Sequence, residues 1–265
     1  MLAVVSMVKD EADIIEGFVR RMAAEADFLI VADNGSTDGT RDMLEDMARD
    51  LPLTVVDDPE VGYYQSRKMT ALVAQATKRG AEVVIPADAD EVWYSPFGRI
   101  ADVLAKYPYA SVFGAALYDH VATAEDPDES DPVQRIGWRR REAAPLPKVA
   151  VRPFPCVGSV TIHQGNHGAS HGMPVDRLDG LLVVRHFPYR SSRQFVRKVR
   201  NGAAAYAATD LPEQEGQHWR DYGRLLDAGG PAAIDAVFKA WFYSADPWID
   251  PTLIYDPAPV PCPLP

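Results

Sequence analysis

Short apolar runs alternate with amphipathic stretches over the first hundred residues, the pattern that builds a parallel sheet with helices on its faces. Residues 2–7 read as the first strand. Ile14, Ile15, Phe18, Val19 and Met22 then recur at helical spacing, which predicts an amphipathic helix over 11–25. Residues 28–32 form a second strand. It runs into Asp33-Asn34-Gly35-Ser36-Thr37-Asp38-Gly39-Thr40, a turn rich in capping residues, and then into a helix carrying Met43, Leu44 and Met47. Residues 53–56 are a third strand. A helix follows over 63–78, with Met69, Leu72, Val73 and Ala76 on one face and Gly80 placed as its C-cap, and 82–86 is a fourth strand.

Beyond residue 118 the periodicity loosens into a loop-rich insertion. Its acidic block (Asp126, Asp128, Glu129, Asp131) and basic block (Arg139, Arg140, Arg141) read as solvated faces. Residues 149–152 and 181–186 read as strands, and 192–206 and 232–242 as helices. From Asp256 onward, with Pro at 257, 259, 261, 263 and 265, the chain reads as an irregular or polyproline-II-like end.

Among the 265 residues the formal net charge is -11, which excludes a general nucleic-acid binder, because phosphate contacts need a basic surface. With only two cysteines, Cys156 and Cys262, neither a disulfide framework nor a cysteine zinc site is expected, and a reducing cytoplasm is the expected location. The apolar start gives way at once to Lys9, Asp10 and Glu11, too soon for a signal sequence, and no later run is long enough for a transmembrane segment.

In an open parallel sheet, ligands bind beyond the carboxyl ends of the strands. Three polar loops fall there: 9–11, 33–38 and 88–91. The apolar run 83–86 delivers Asp88-Ala89-Asp90 to that crevice. Two hard oxygen ligands on a tight turn suit Mg²⁺ or Mn²⁺ and leave coordination positions for the phosphates of a diphosphate. The histidines at 163, 167 and 171 lack the spacing of a zinc-binding helix.

Three motifs in order, residues 4–11, 32–40 and 88–91, resemble the nucleotide-binding half of family-2-like glycosyltransferases of the GT-A type, and His186-Phe187-Pro188-Tyr189-Arg190-Ser191 with Phe195 and Lys198 resembles a segment of a subgroup of them. The resemblance implies a Rossmann-like, mostly parallel sheet flanked by helices with a C-terminal helical elaboration. It implies a nucleotide-sugar-binding half over 1–118, an acceptor-side half over 119–205, and a helical segment and tail over 206–265. It further implies metal-dependent transfer from a UDP- or GDP-sugar to a glycan, lipid or small-molecule acceptor, with inversion. Asp10, Asp33, Asn34, Ser36, Arg67, Asp88, Arg190 and Lys198 would bind the donor, and Asp88, Asp90 and His186 would hold Mn²⁺ or Mg²⁺. The family's acidic general base has no clear counterpart after residue 91, which leaves His167 and Asp179 as candidates. Two alternatives stay open. A nucleotidyltransferase would carry a Gly-rich basic loop where Lys9-Asp10-Glu11 stands, and a non-catalytic sugar-nucleotide or glycan-binding module would need no base.

Overall fold

The computed structural model describes residues 1–153, 160–172, 174 and 176–259. Cys156, Cys262 and the prolines at 261, 263 and 265 lie outside the described residues. In chain order the elements are β1 (Leu2–Val8), α1 (Ile15–Glu25), β2 (Phe28–Asp33), α2 (Thr40–Met47), β3 (Leu53–Asp57), α3 (Gln65–Lys78), β4 (Val83–Pro86), β5 (Glu91–Tyr94), α4 (Ile100–Ala105), β6 (Ala110–Asp119), β7 (Ala122–Thr123), α5 (Pro132–Arg135), β8 (Trp138–Arg140) and β9 (Lys148–Val151). They continue as β10 (Thr161–Ile162), β11 (Ala169–Ser170), β12 (Asp176–His186), α6 (Ser192–Ala207), α7 (Gln217–Trp241), β13 (Tyr243–Ser244) and β14 (Leu253–Tyr255).

Eight strands form one sheet in the order β3-β2-β1-β4-β9-β6-β12-β5. The first four are parallel, β9 runs antiparallel between β4 and β6, and β12 lies parallel to β6 with β5 antiparallel at the edge. Both faces are covered. Val4, Phe18, Leu29, Ile85 and Phe113 are buried on one side, and Val5, Ile30, Met69, Val73 and Val149 on the other. This is the fold class the sequence implies.

Three differences have physical causes. The strand β6 escapes the alternation rule because it is buried on both faces and rich in Ala, so no polar face marks it and Val112 is its one β-branched residue. β12 begins at Asp176 rather than 181 because its polar first half runs out toward solvent while still pairing with β6. α7 begins at Gln217 rather than 232; a non-helical Gly230 followed by Pro231 divides it, and the second half is the helix the periodicity predicts.

The first half of α7 packs on α6 through glycines. A Cβ on Gly202 would lie 2.8 Å from the Trp219 ring, and one on Gly223 would lie 2.6 Å from the Ala203 methyl, so both helices need glycine at the contact. Behind them Phe195, Tyr189, Phe238 and Phe242 form an aromatic cluster that fixes α6 against the end of the sheet.

The charged blocks of the insertion are not simply solvated. Asp131 caps α5 by accepting the Val133 N–H at 3.0 Å and pairs with Arg21, which is 7% exposed. Arg139 pairs with Asp256 at 2.7 Å while lying over the Tyr118 ring. Short-range charge patterning does not reveal a partner more than a hundred residues away. Asp131→Ala is expected to cost about 3 kcal/mol, because it strands a buried guanidinium, and urea unfolding should show a lower midpoint at unchanged slope.

Candidate functional site

Strand register brings the polar residues together. Val8 pairs with Asp33 across β1 and β2, so the loops after both strands leave the sheet side by side, with the end of β4 beyond them. Further along, His186 at the end of β12 pairs with Asp119 of β6 on one side and Glu91 of β5 on the other. A cavity of about 320 Å³ opens where these ends meet, lined among others by Lys9, Asp10, Asn34, Asp88, Asp90 and His186, with Lys198, Asn201 and Tyr206 of α6 along one wall.

Asp90 is 4% exposed and faces three cationic groups. Lys198 Nζ donates to its Oδ2 at 2.6 Å, Arg190 Nη1 lies 3.9 Å away, and His186 Nε2 lies 3.5 Å from its Oδ1. The His186 Nδ1 sits 2.7 Å from Asp119 Oδ1. Burial alone would depress this imidazole, but the carboxylates of Asp90 and Asp119 outweigh it and raise its pKa to about 9. Burial works against the Asp90 carboxylate as well, yet Lys198 and His186 hold it well below the usual range.

Asp88 has a different environment. Its Oδ1 accepts from Gln65 Nε2 at 3.2 Å and Asn166 Nδ2 at 3.0 Å, and its Oδ2 accepts from Lys148 Nζ at 2.7 Å. Lys148 also pairs with the fully buried Glu91 at 2.7 Å and donates to the Gly165 carbonyl at 2.8 Å. Burial disfavours its charge, but the two carboxylates reverse that and keep it an ammonium. Among the described residues no group of three or more His, Cys, Asp and Glu side chains forms a ready metal cage.

The turn after β2 is pinned to the loop after β1. Asp10 adopts a φ of 55°, donates its N–H to Ser36 Oγ at 2.9 Å, and accepts from the Thr37 N–H at 2.7 Å and from Asn201 Nδ2 at 2.8 Å. Asp33 is 5% exposed and accepts from the Ser36 N–H. Asp10 and Asn34 line the cavity, whereas Asp33 and Ser36 sit behind it as the frame of the turn. The Asn34 amide nitrogen is taken up by Asp58 and the Glu60 carbonyl.

Besides Asp33 and Ser36, three more expected site residues lie outside the cavity lining. Arg67 is exposed, paired with Glu60 at 2.5 Å and stacked on Tyr64, because its position on α3 faces outward. Arg190 is 2% exposed, and Glu11, Asp13 and the Phe187 carbonyl take its N–H groups, so it supports the site from below rather than meeting a phosphate. Asp179 is exposed on the outer part of β12, paired with Arg177 at 2.8 Å. Seven residues of extended strand place it about 20 Å from His186.

His167 does line the cavity. Its Nδ1 lies 2.9 Å from the Pro147 carbonyl, which accepts only, so Nδ1 carries the proton and Nε2 keeps a lone pair. Burial holds this imidazole below its ordinary pKa and keeps it neutral near pH 7. Asp119, Lys148, Gln65, Asn166 and Asn201 are the site residues that sequence reasoning missed.

A mostly parallel sheet with an acidic turn at its carboxyl edge and a helical C-terminal wall defines a protein of the GT-A type. Glycosyl transferase family 2 is matched over residues 3–159, more than half of the chain, and the chain belongs to that family. A comparison with curated protein sequences finds no match. Similar solved structures include TarS from S. aureus, at 13% identity with a TM-score of 0.40, over 86% of this chain and 44% of that one; this chain thus spans less than half of its length. The 1–349 chain of TarS in complex with UDP is 13% identical over 91% of this chain and 75% of that one, with a TM-score of 0.39. The same TarS chain in complex with UDP-GlcNAc gives 13% identity, the same coverage and a TM-score of 0.38.

Proposed function

We infer that the chain transfers a sugar from a UDP- or GDP-sugar to a hydroxyl acceptor on a glycan, lipid or small molecule, with inversion at the anomeric carbon and with a bound Mn²⁺ or Mg²⁺. One observation carries the reading: Asp90 Oδ1 and His186 Nε2 face each other at 3.5 Å while Asp119 holds the opposite nitrogen of the same imidazole. A carboxylate fixing Nδ1 is the usual support of a histidine that ligates through Nε2, and His186 gives up its Nε2 proton when it does so. Two protein donors suit a hard cation that takes its other ligands from water and substrate phosphates. Bound there, it would neutralise charge on the departing diphosphate.

The remaining roles fall to side chains. Lys198 lies beside Asp90 and lines the cavity, so its ammonium can follow the charge that moves onto the leaving group. Asp10 and Asn34, on the loops that Ser36 and Asp33 frame, form the wall where the nucleoside would lie. His167 is the general base: its Nε2 takes the acceptor hydroxyl proton as the oxygen bonds to the anomeric carbon and the bond to the diphosphate breaks on the opposite face. That back-side displacement is what inverts the centre. The nucleotidyltransferase alternative gains nothing from the site, since the loop after β1 lines the cavity with Lys9, Asp10 and Glu11 where a Gly-rich phosphate-binding nest would be needed.

A thermal-shift screen of nucleoside diphosphates and their sugars, with and without Mn²⁺, tests the reading. A ligand at about 100 times its Kd should raise the melting temperature by roughly 5–10 °C, and only when Mn²⁺ is present. No shift with any diphosphate, or a larger one with nucleoside triphosphates, would overturn it.

A further inference from the structure

The first aspartate of the D-x-D turn differs from the second in what surrounds it. Three donors converge on Asp88, and each of them also reaches, directly or through its own residue, the short loop 164–167. Lys148 binds Asp88 and the Gly165 carbonyl. Gln65 donates to Asp88 through Nε2 while its Oε1 accepts the Gly165 N–H at 2.7 Å. Asn166, fully buried and held at a φ of 58°, donates to Asp88 from within the loop. The next residue is His167, whose Nδ1 is fixed by the carbonyl of Pro147, the residue before Lys148.

Lys148 is buried, donates to Asp88 and to the Gly165 carbonyl, and lies 2.7 Å from the Glu91 carboxylate, so its charge is already matched by two carboxylates. Both Asp88 oxygens are likewise engaged. A left-handed backbone at a non-glycine residue is unfavourable by about 1 kcal/mol or more and persists where its surroundings impose it. Asn166 is one of the two non-glycine residues with positive φ among those described; the other, Asp10, also lines the cavity. A second tie fastens the same loop to the start of α3, where the Ser66 N–H donates to Gln164 Oε1 at 3.3 Å.

We propose that Asp88 is a positioning residue rather than a ligand of the metal or diphosphate: with Gln65, Lys148 and Asn166 it locks the 164–167 loop and so holds the His167 imidazole in one orientation and one tautomer. The catalytic role of His167 rests on the function proposed above, but the lock itself does not. Cation binding falls to Asp90 and His186, and the two aspartates of the motif divide the labour, one for the leaving group and one for the base.

Two measurements on the full chain decide this. Long-range ¹H–¹⁵N NMR of the imidazoles should show His167 in the wild type as a single Nδ1–H tautomer, and a mixture of tautomers in Gln65→Ala, which removes two bonds of the lock and no carboxylate. Electron paramagnetic resonance titration of Mn²⁺ in the presence of UDP and, in parallel, of GDP should, with the diphosphate that supports binding, give Asp88→Asn an affinity within about twofold of wild type, while Asp90→Asn weakens it by about tenfold or more. Equal weakening in both aspartate variants makes Asp88 a ligand and overturns the proposal. A wild-type tautomer ratio in Gln65→Ala overturns it too, and that variant is decisive should Asp88→Asn fail to fold by circular dichroism. If the wild type binds no Mn²⁺ with either UDP or GDP, the proposed function fails while the tautomer measurement still judges the lock.

Discussion

Asp90→Asn is expected to lower metal-dependent donor turnover by about 10³-fold or more, since it removes the partner of the Lys198 ammonium and, in the proposed arrangement, one of two protein donors for the cation. The substitution is isosteric, and Arg190 beneath it keeps Glu11 and Asp13, so the fold should survive. Donor turnover at saturating Mn²⁺, read beside a far-UV circular dichroism spectrum, checks both halves of the expectation. Near-wild-type turnover in a folded variant would take the D-x-D turn out of the chemistry.

His167→Ala should lower kcat by about 10²–10⁴-fold and leave donor affinity alone, the signature of a lost general base. The pH profile sharpens this. Burial disfavours the imidazolium form, so the free base persists to lower pH than an ordinary histidine with a pKa of about 6.5. Turnover in the wild type should therefore be present above that region and fall only as the pH drops through a midpoint below about 6.5. In His167→Ala the acidic limb assigned to this group should vanish from kcat. An unchanged kcat with an unchanged limb would move the base elsewhere.

The part of the site legible in the sequence is the part carried by strand ends. Residues 83–86 are uniformly apolar, so their end at Asp88 and Asp90 follows from periodicity, and the turn at 33–38 follows from its capping residues. His186 is legible for the same reason, as the end of an apolar run. Asp119 is not, because the strand that carries it is made largely of apolar residues without alternation, and an acid at the end of an unrecognised strand carries no positional signal. Lys148 lies at the start of a four-residue strand whose antiparallel place between β4 and β6 follows from the assembled sheet alone. Arg190 and Asp179 show the opposite limit. Charge and sequence distance suggest a phosphate contact and a base, but one is consumed by Glu11 and Asp13 beneath the site and the other stands at the far edge of the sheet.

The match to the family ends at residue 159, whereas the cavity wall formed by Lys198, Asn201 and Tyr206 comes from α6, and α6 is braced by an aromatic cluster and by two glycine contacts with α7. The binding chamber is therefore assembled from two stretches of polypeptide with separate sequence constraints. One carries the acidic turn, and the other carries His167, His186 and Lys198, so the residues gathered around Asp90 are drawn from both. Because Lys198 reaches Asp90 and Asn201 reaches Asp10 from one helix, any change in how α6 seats on α7 is transmitted to the acidic turn as well as to the wall.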